Sequence, residues 1–137
     1  EGNEYFKYGI AGAGVYDWHL YDTHYTERYM DTPQDNPEGY KVTNVLSRIS
    51  NYKGDKTNMI RLTHGTGDDN VHFQNTLQLI DEFQKQNKDF ELMIYPEGMH
   101  GYRGAQGRHS AMQDYIFWYR YLLDSELPSD LLEYFKQ

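Results

Sequence analysis

The stretch NMIRLTHGTGDDNVHF, residues 58–73, joins an apolar segment to a polar turn that is rich in titratable side chains. Residues 58–64 have the composition of a buried strand, which ends at the charged turn 64–72. After the turn the apolar spacing becomes that of a helix, which we expect to run to about Gln86. The predicted apolar face of this helix consists of Phe73, Leu77, Ile80 and Phe83. The stretch therefore predicts a strand, a turn and a helix in succession, which is the repeating unit of α/β proteins.

Two further strands and several helices are predicted around this unit. Residues 8–14, within KYGIAGAGV, have the small and apolar composition of a short buried strand, and FELMIYP (90–96) predicts a strand that Pro96 stops. Short helices are expected at 22–30, 37–49 and 129–136. Ser110 and Gln113 form a capping box that predicts the start of a longer helix. The face that this helix should bury consists of Met112, Tyr115, Ile116, Tyr119, Leu122 and Leu123.

The alternation of strands and helices predicts an α/β fold with a mostly parallel sheet that is flanked by helices on both faces. In open parallel sheets ligands bind beyond the carboxyl ends of the strands. The loops 14–18, 64–72 and 96–103 would all lie at that edge. We therefore expect these three loops to form one shared site.

The composition limits the classes of partner. The chain of 137 residues has a net charge of −8 and no Lys- or Arg-rich stretch, so we expect no nucleic acid partner. No apolar run approaches the roughly 20 residues of a membrane-spanning helix, so no membrane segment is expected in this chain. The absence of cysteine excludes disulfides and thiolate zinc sites but leaves the compartment open. The aromatic content of 16% suits either a pocket or interface or a Tyr-rich periphery of the core.

Asp68 and His100 are candidates for a functional pair, because each follows a predicted strand. A carboxylate that bonds to an imidazole fixes the tautomer of the ring and makes its other nitrogen a general base. Such a base needs a nucleophile, and α/β-hydrolases place theirs on a Gly-x-Ser-x-Gly turn before the Asp and the His. The chain contains no such turn, and its five serines lie in other contexts.

Three motifs resemble one family of enzymes. HGTGDDNVHFQ followed by YPEGMHG is similar to the Asp and His segments of the prolyl oligopeptidase family of serine peptidases. DWHLYDTHYTERYM resembles the segment that distinguishes the dipeptidyl peptidase IV-like members. The resemblance extends from YGIAGAGV to the last helix. It implies that residues 1–137 are the C-terminal fragment of a catalytic α/β-hydrolase domain, without its nucleophile elbow and without the β-propeller of the family.

The resemblance also implies roles for individual residues. Asp68 and His100 would be the aspartate and histidine of the catalytic triad, and Asn70 would bind the carbonyl group of the first substrate residue. The apolar pocket for proline or alanine would be lined by Val15, Trp18, Tyr21, Tyr25 and Val71. His64 and His72 are expected to be framework residues. Gly14 departs from the family pattern, which has proline at this position.

The function implied by the resemblance is that of a serine exopeptidase that releases X-Pro or X-Ala dipeptides from peptide N-termini. The fragment alone is expected to be inactive, and no cofactor is implied. The resemblance further implies a homodimer and a periplasmic or other extracytoplasmic location.

Two alternative functions remain at this stage. The chain could be a noncatalytic domain that dimerises or interacts through its Tyr-rich face. A metal site could use His64, Asp68, Asp69, His72 and His100, although a turn does not place these side chains on one helical face, so no metal is expected.

Overall fold

The computed structural model describes Gly2 and residues 4–136. Its sheet has three parallel strands in the order β1-β2-β3, with β1 at Tyr8–Gly12, β2 at Met59–Gly65 and β3 at Glu91–Tyr95. Gly12 pairs with Thr63, and Gly65 pairs with Tyr95, so the carboxyl ends of all three strands lie at one edge of the sheet. The predicted α/β class, the three strands and their shared edge are therefore confirmed.

Five α-helices and two 3₁₀ helices connect and flank the strands in the described part of the chain. The α-helices are α1 (Thr23–Met30), α2 (Pro37–Thr43), α3 (Gln74–Lys85), α4 (Gly104–Leu122) and α5 (Ser129–Lys136), and the 3₁₀ helices are Trp18–Leu20 and Leu46–Asn51. None of the helices among the described residues is both long and apolar enough to cross a bilayer.

The two faces of the sheet are covered by different helices. Leu62 of β2 is fully buried in a cluster with Ile49, Leu79 and Phe83, on the side of α3. Arg61 points to the opposite face, where its Nε donates to Asp114 of α4 at 3.0 Å, since neighbouring side chains of a strand alternate between faces. The predicted coverage of both faces is confirmed.

The helix predicted at 37–49 is only partly correct, because α2 ends at Thr43. Asn44 follows it, and its side chain accepts a hydrogen bond from the Leu46 amide at 2.8 Å and donates to Asp17 at 3.0 Å. Asparagine side chains compete in this way with the hydrogen bonds that would continue a helix. The chain therefore breaks at Asn44 and resumes as a 3₁₀ helix.

The predicted apolar face of α3 is wrong in part. Leu77 is 50% exposed, whereas Asn75 and Thr76 are fully buried together with Leu79. The face is displaced because two polar side chains make tertiary hydrogen bonds inside the protein, and the spacing of apolar residues does not report such bonds.

The capping box at Ser110 is also wrong, because α4 begins six residues earlier at Gly104 and Ser110 is buried within it. Glycine disfavours helices, but tertiary contacts override this preference. Gln106 donates to the Pro96 carbonyl at 2.7 Å, and the His109 ring lies 3.2 Å from the Tyr95 hydroxyl. These contacts hold the first turns of α4 against the end of β3.

The face that α4 buries differs from the predicted one. Tyr115, Leu122 and Leu123 are 47%, 64% and 58% exposed, whereas Phe117 is fully buried. Phe117 packs on Tyr121 with a ring separation of 4.8 Å, and Tyr121 packs on Tyr8 of β1 at 5.6 Å. The helix therefore contacts the sheet through Asp114, Phe117 and Tyr121, and the predicted stripe lies partly on its outer side.

Candidate active site

The site begins where the turns after β2 and β3 meet. An added Cβ at Gly65 would lie 2.0 Å from the carbonyl oxygen of Gly98, so only glycine allows this approach. The Thr66 amide donates to Tyr95, the Gly67 amide donates to Gly98, both at 3.0 Å, and the Glu97 amide donates to the Thr66 hydroxyl at 2.9 Å. These bonds fix the turn that carries Asp68 against the turn that carries His100.

The Asp68 carboxylate is fully buried and is bonded at both oxygens. Oδ1 accepts the backbone amides of Asn70 and Val71, each at 3.0 Å. Oδ2 lies 3.0 Å from Nδ1 of His100 and 3.4 Å from Nε2 of His64. The turn sequence Asp-Asp-Asn-Val thus wraps its own amides around the carboxylate and leaves one oxygen for histidine.

The electrostatics of this arrangement favour the ionised carboxylate. Burial by itself would raise the pKa of Asp68, but the hydrogen bonds from His100, Asn70 and Val71 and the nearby His100 ring outweigh burial and hold the pKa below its usual value. An ionised carboxylate only accepts hydrogen bonds, so Nδ1 of His100 carries the proton in this contact.

His100 connects the buried carboxylate to solvent. Its side chain is 44% exposed and lines an open cleft of about 600 Å³ together with Asn70, Met99 and Arg103. With Nδ1 bonded to Asp68, Nε2 has no hydrogen-bond partner among the described residues. In the neutral ring Nε2 is then the unprotonated nitrogen, which can accept a proton from a group in the cleft.

Asn70 links this pair to an aromatic cluster. Its Oδ1 accepts the Tyr21 hydroxyl at 2.7 Å. Tyr21 lies edge-on to Trp18 and to Tyr25, with ring separations of 6.0 and 5.5 Å, and Trp18 stacks on Tyr25 at 6.2 Å. The structure thus brings together three of the predicted pocket residues and connects them through Asn70 to the Asp68 turn.

The two predicted aliphatic pocket residues lie in the adjoining turns. Val15 is half-buried in the loop after β1, which also carries Trp18, and Val71 is buried in the Asp68 turn. The aromatic cluster also extends to Tyr29, whose ring lies 5.0 Å from that of Tyr25. Tyr29 was missed as a cluster member, although its spacing of four residues from Tyr25 on α1 is the signal that identifies it.

Asn75 is a second residue that the sequence reasoning missed. Its Oδ1 accepts the Tyr16 amide at 3.2 Å, and its Nδ2 donates to the carbonyls of Leu20 and His72 at 3.3 and 3.4 Å. This fully buried side chain ties the loop that carries the aromatic cluster to the start of α3. No local feature of the sequence signals this role, because polar residues in the first turn of a helix are ordinarily exposed.

The unusual glycine of the β1 loop has a local explanation. A Cβ at Gly14 would lie 2.7 Å from the Tyr16 ring, so that ring occupies the space that a side chain at position 14 needs. Tyr16 is buried, and burial raises the pKa of its hydroxyl to about 12. The position of the Tyr16 ring therefore requires a residue without a side chain at position 14.

The structure does not assemble the alternative metal site. Both ring nitrogens of His64 are occupied, Nδ1 by the Thr76 hydroxyl at 2.6 Å and Nε2 by the Val71 carbonyl at 2.8 Å. Asp69 and His72 are exposed. No three His, Asp or Glu side chains in the described part of the chain are arranged to hold a metal ion.

Comparison with known proteins identifies the family. The model of the prolyl oligopeptidase family matches residues 1–126. A probable dipeptidyl-aminopeptidase B from Uncinocarpus reesii is 43% identical over 115 residues, which are 81% of this chain and 12% of the relative. Dipeptidyl aminopeptidase B from Saccharomyces cerevisiae is 37% identical over 128 residues, 92% of this chain and 15% of the relative.

Solved structures give the same result for the fold. The crystal structure of Porphyromonas gingivalis dipeptidyl peptidase 4 superposes with a TM-score of 0.77 at 37% identity, covering 83% of this chain and 16% of that protein. The chain thus spans less than a fifth of the relatives that it matches. These similarities confirm the predicted α/β-hydrolase class. The chain belongs to the prolyl oligopeptidase family.

Proposed function

We propose that this chain is the C-terminal part of the catalytic domain of a serine dipeptidyl peptidase, to which it contributes Asp68 and His100. The observation that carries the proposal is the 3.0 Å contact between Oδ2 of Asp68 and Nδ1 of His100, with the second ring nitrogen facing an open cleft. The similarity to dipeptidyl aminopeptidases supports the reaction class. The serine and the β-propeller are expected in other parts of the full-length protein.

In the proposed mechanism Asp68 holds the tautomer and orientation of the His100 ring. Nε2 of His100 takes the proton of the serine hydroxyl as the serine oxygen bonds to the carbonyl carbon of the scissile peptide. The resulting imidazolium is stabilised by the carboxylate, and Nε2 then donates its proton to the leaving amine as the C–N bond breaks. Water releases the dipeptide from the acyl-enzyme by the same proton transfers in a second cycle.

The aromatic cluster suits a substrate with a small apolar residue before the scissile bond. Trp18, Tyr21 and Tyr25, with Val15 and Val71 beside them, are proposed to enclose the ring of proline or the methyl group of alanine. Asn70 uses Oδ1 to bind Tyr21, which leaves its Nδ2 available to donate to the carbonyl of the substrate's first residue.

The direct test is His100→Ala in the full-length protein, assayed with a chromogenic X-Pro substrate. We expect kcat to fall by about six orders of magnitude, because triad histidines contribute on that scale. His24→Ala removes another exposed histidine, on α1, and should retain activity. Retained activity in folded His100→Ala would contradict the proposal.

Homodimerisation is a second proposed property, and the exposed apolar side chains of α4 and α5 favour it. Leu122 is 64% exposed, Leu123 58% and Tyr134 69%, a concentration of apolar surface that is typical of interaction sites. Light scattering should give twice the monomer mass for the full-length protein and the monomer mass for Leu122→Glu. A monomeric wild-type protein would exclude the dimer.

A further inference from the structure

His64 is a fully buried titratable side chain beside the site, and the mechanism above does not use it. Its side chain has no solvent exposure, and the Phe73 ring lies edge-on to it at 5.5 Å. It stands at the end of β2, directly below the turn that carries Asp68, Asn70 and Val71. A buried imidazole at this position needs a reason, because apolar residues fill such space at lower cost.

The hydrogen bonds of His64 determine its tautomer. The Val71 carbonyl can only accept, so Nε2 carries a proton over the 2.8 Å contact. In the neutral ring Nδ1 is then an acceptor, and it receives the Thr76 hydroxyl proton over 2.6 Å. The Val71 carbonyl therefore selects the ring form that donates toward the turn, and the Thr76 hydroxyl on α3 supplies the donor that this form needs at Nδ1.

The same N–H group also lies beside the functional carboxylate. Nε2 of His64 is 3.4 Å from Oδ2 of Asp68, the oxygen that contacts His100. The turn is thus held by two sets of hydrogen bonds: His64 holds the Val71 carbonyl, and the Asp68 carboxylate holds the Asn70 and Val71 amides. Loss of the hydrogen bond from His64 to the Val71 carbonyl frees the segment that sets both the orientation of Asp68 and the position of Asn70.

We propose that His64, held as its Nε2–H tautomer by the Val71 carbonyl and the Thr76 hydroxyl, is a positioning residue that aligns Asp68 with His100 and Asn70 with the substrate. This inference rests on the proposed function and adds a second histidine to the site, one that acts through Asp68 and the Val71 carbonyl. Because one turn carries the orienting carboxylate and the substrate contacts, its displacement should lower kcat and raise KM together.

The test compares Thr76→Val with Thr76→Ser in the full-length protein. Valine has nearly the shape of threonine but cannot donate to Nδ1, whereas serine keeps the hydroxyl. We expect Thr76→Val to reduce kcat/KM by about 100-fold, because misplacement of catalytic groups by about 1 Å has effects of this size. Thr76→Ser should retain kcat and KM within a few-fold. His64→Gln, which keeps an N–H donor, should lose less activity than His64→Leu.

A spectroscopic measurement separates positioning from a purely structural role. Long-range ¹H–¹⁵N spectra of the imidazoles should show His64 as the Nε2–H tautomer in the wild type and in Thr76→Ser. In Thr76→Val, where Nδ1 has lost its donor, they should show a changed Nδ1 shift and faster exchange of the Nε2 proton. A wild-type Nδ1–H tautomer would overturn the inference. A Thr76→Val protein with a lower Tm but unchanged kcat and KM would also overturn it, since His64 would then only stabilise the fold.

The two proposals fail in different ways. If His100→Ala retains activity, the proposed function is wrong, and the inference about a catalytic alignment is wrong with it. If His100→Ala is inactive while His64→Leu and Thr76→Val are folded and fully active, the proposed function stands and only the role of His64 is refuted.

Discussion

Two buried charged side chains, Asp68 and Arg61, are stabilised by different kinds of partner. Asp68 lies in the turn after β2, where two backbone amides and two histidine rings contact its carboxylate. Arg61 lies within β2, and its side chain is 3% exposed. Its guanidinium contacts the carboxylates of Asp114 on α4 at 3.0 Å and Glu91 on β3 at 4.0 Å. One charge is stabilised by backbone amides and histidine rings, the other by carboxylates of opposite charge.

The difference between the two clusters indicates different purposes. In the Arg61 cluster, Glu91 also accepts hydrogen bonds from Arg120 at 2.6 Å and from Tyr121 at 3.1 Å. It joins β2, β3 and α4 and leaves no reactive atom facing a cleft. The Asp68 cluster ends in the half-exposed ring of His100, so its charge acts on a group that substrate can reach.

The largest effect on stability is expected from Asp114→Ala, which breaks the Arg61 cluster. The variant leaves a buried guanidinium without its nearest partner, and unfolding free energy should fall by about 3 kcal/mol, the lower end for such changes because Glu91 remains. Urea unfolding measures this loss. Peptidase activity of the folded full-length variant should be unchanged, and Asp114→Asn, which keeps an acceptor oxygen, should lose less stability. Loss of activity in a folded variant would show that the two clusters are coupled.

A smaller loss of stability, combined with a loss of activity, is expected from Gly65→Ala. The new methyl group would lie 2.0 Å from the Gly98 carbonyl, so the turns that carry Asp68 and His100 must separate. Overpacking of this kind costs about 2 kcal/mol. Gly9→Ala in β1 is the matched control, because no atom lies within 4 Å of the added methyl. Equal unfolding free energies and activities for the two variants would contradict this explanation of the site.

The sequence predicted most of the fold because the strands follow from local composition. The runs around Leu62 and Ile94 are apolar and end at turn residues, and alternation with helices then implies parallel pairing. The contact between Asp68 and His100 was also predictable, because both residues follow adjacent strands. Their catalytic roles stay predictions.

The remaining features depend on partners that are distant in sequence. Nothing local distinguishes Asn75 from a surface residue, because its role depends on the Tyr16 amide and the Leu20 carbonyl. The pairing of Arg61 with Asp114 depends likewise on how α4 crosses the sheet. The capping box at Ser110 also misplaced the start of α4, where the contacts of Gln106 and His109 with the β3 end override two glycines. The predictions from sequence therefore failed mainly where polar side chains are buried in the fold.

The smallest effect is expected in the pH dependence of stability, where the two clusters should differ. Because hydrogen bonds from His100, Asn70 and Val71 outweigh burial and lower the pKa of Asp68, the folded state binds the proton of this carboxyl more weakly than the unfolded state does. Asp68 therefore contributes stability that is fully present above the ordinary carboxyl pKa of about 4 and is lost as pH falls through the lower folded value.

Urea unfolding between pH 7 and 3 should show that wild type and Asp68→Asn converge in the acid range. His100→Gln removes the strongest hydrogen bond to Oδ2, so its difference from Asp68→Asn should be smaller at neutral pH. That difference should begin to shrink at the same pH, which the unfolded carboxyl sets, and should be lost completely at a higher pH than in the wild type. Parallel curves for wild type and Asp68→Asn down to pH 3 would mean that the amides and His100 do not favour the ionised carboxylate, and Asp68 would then differ little from a buried charge of the Arg61 kind.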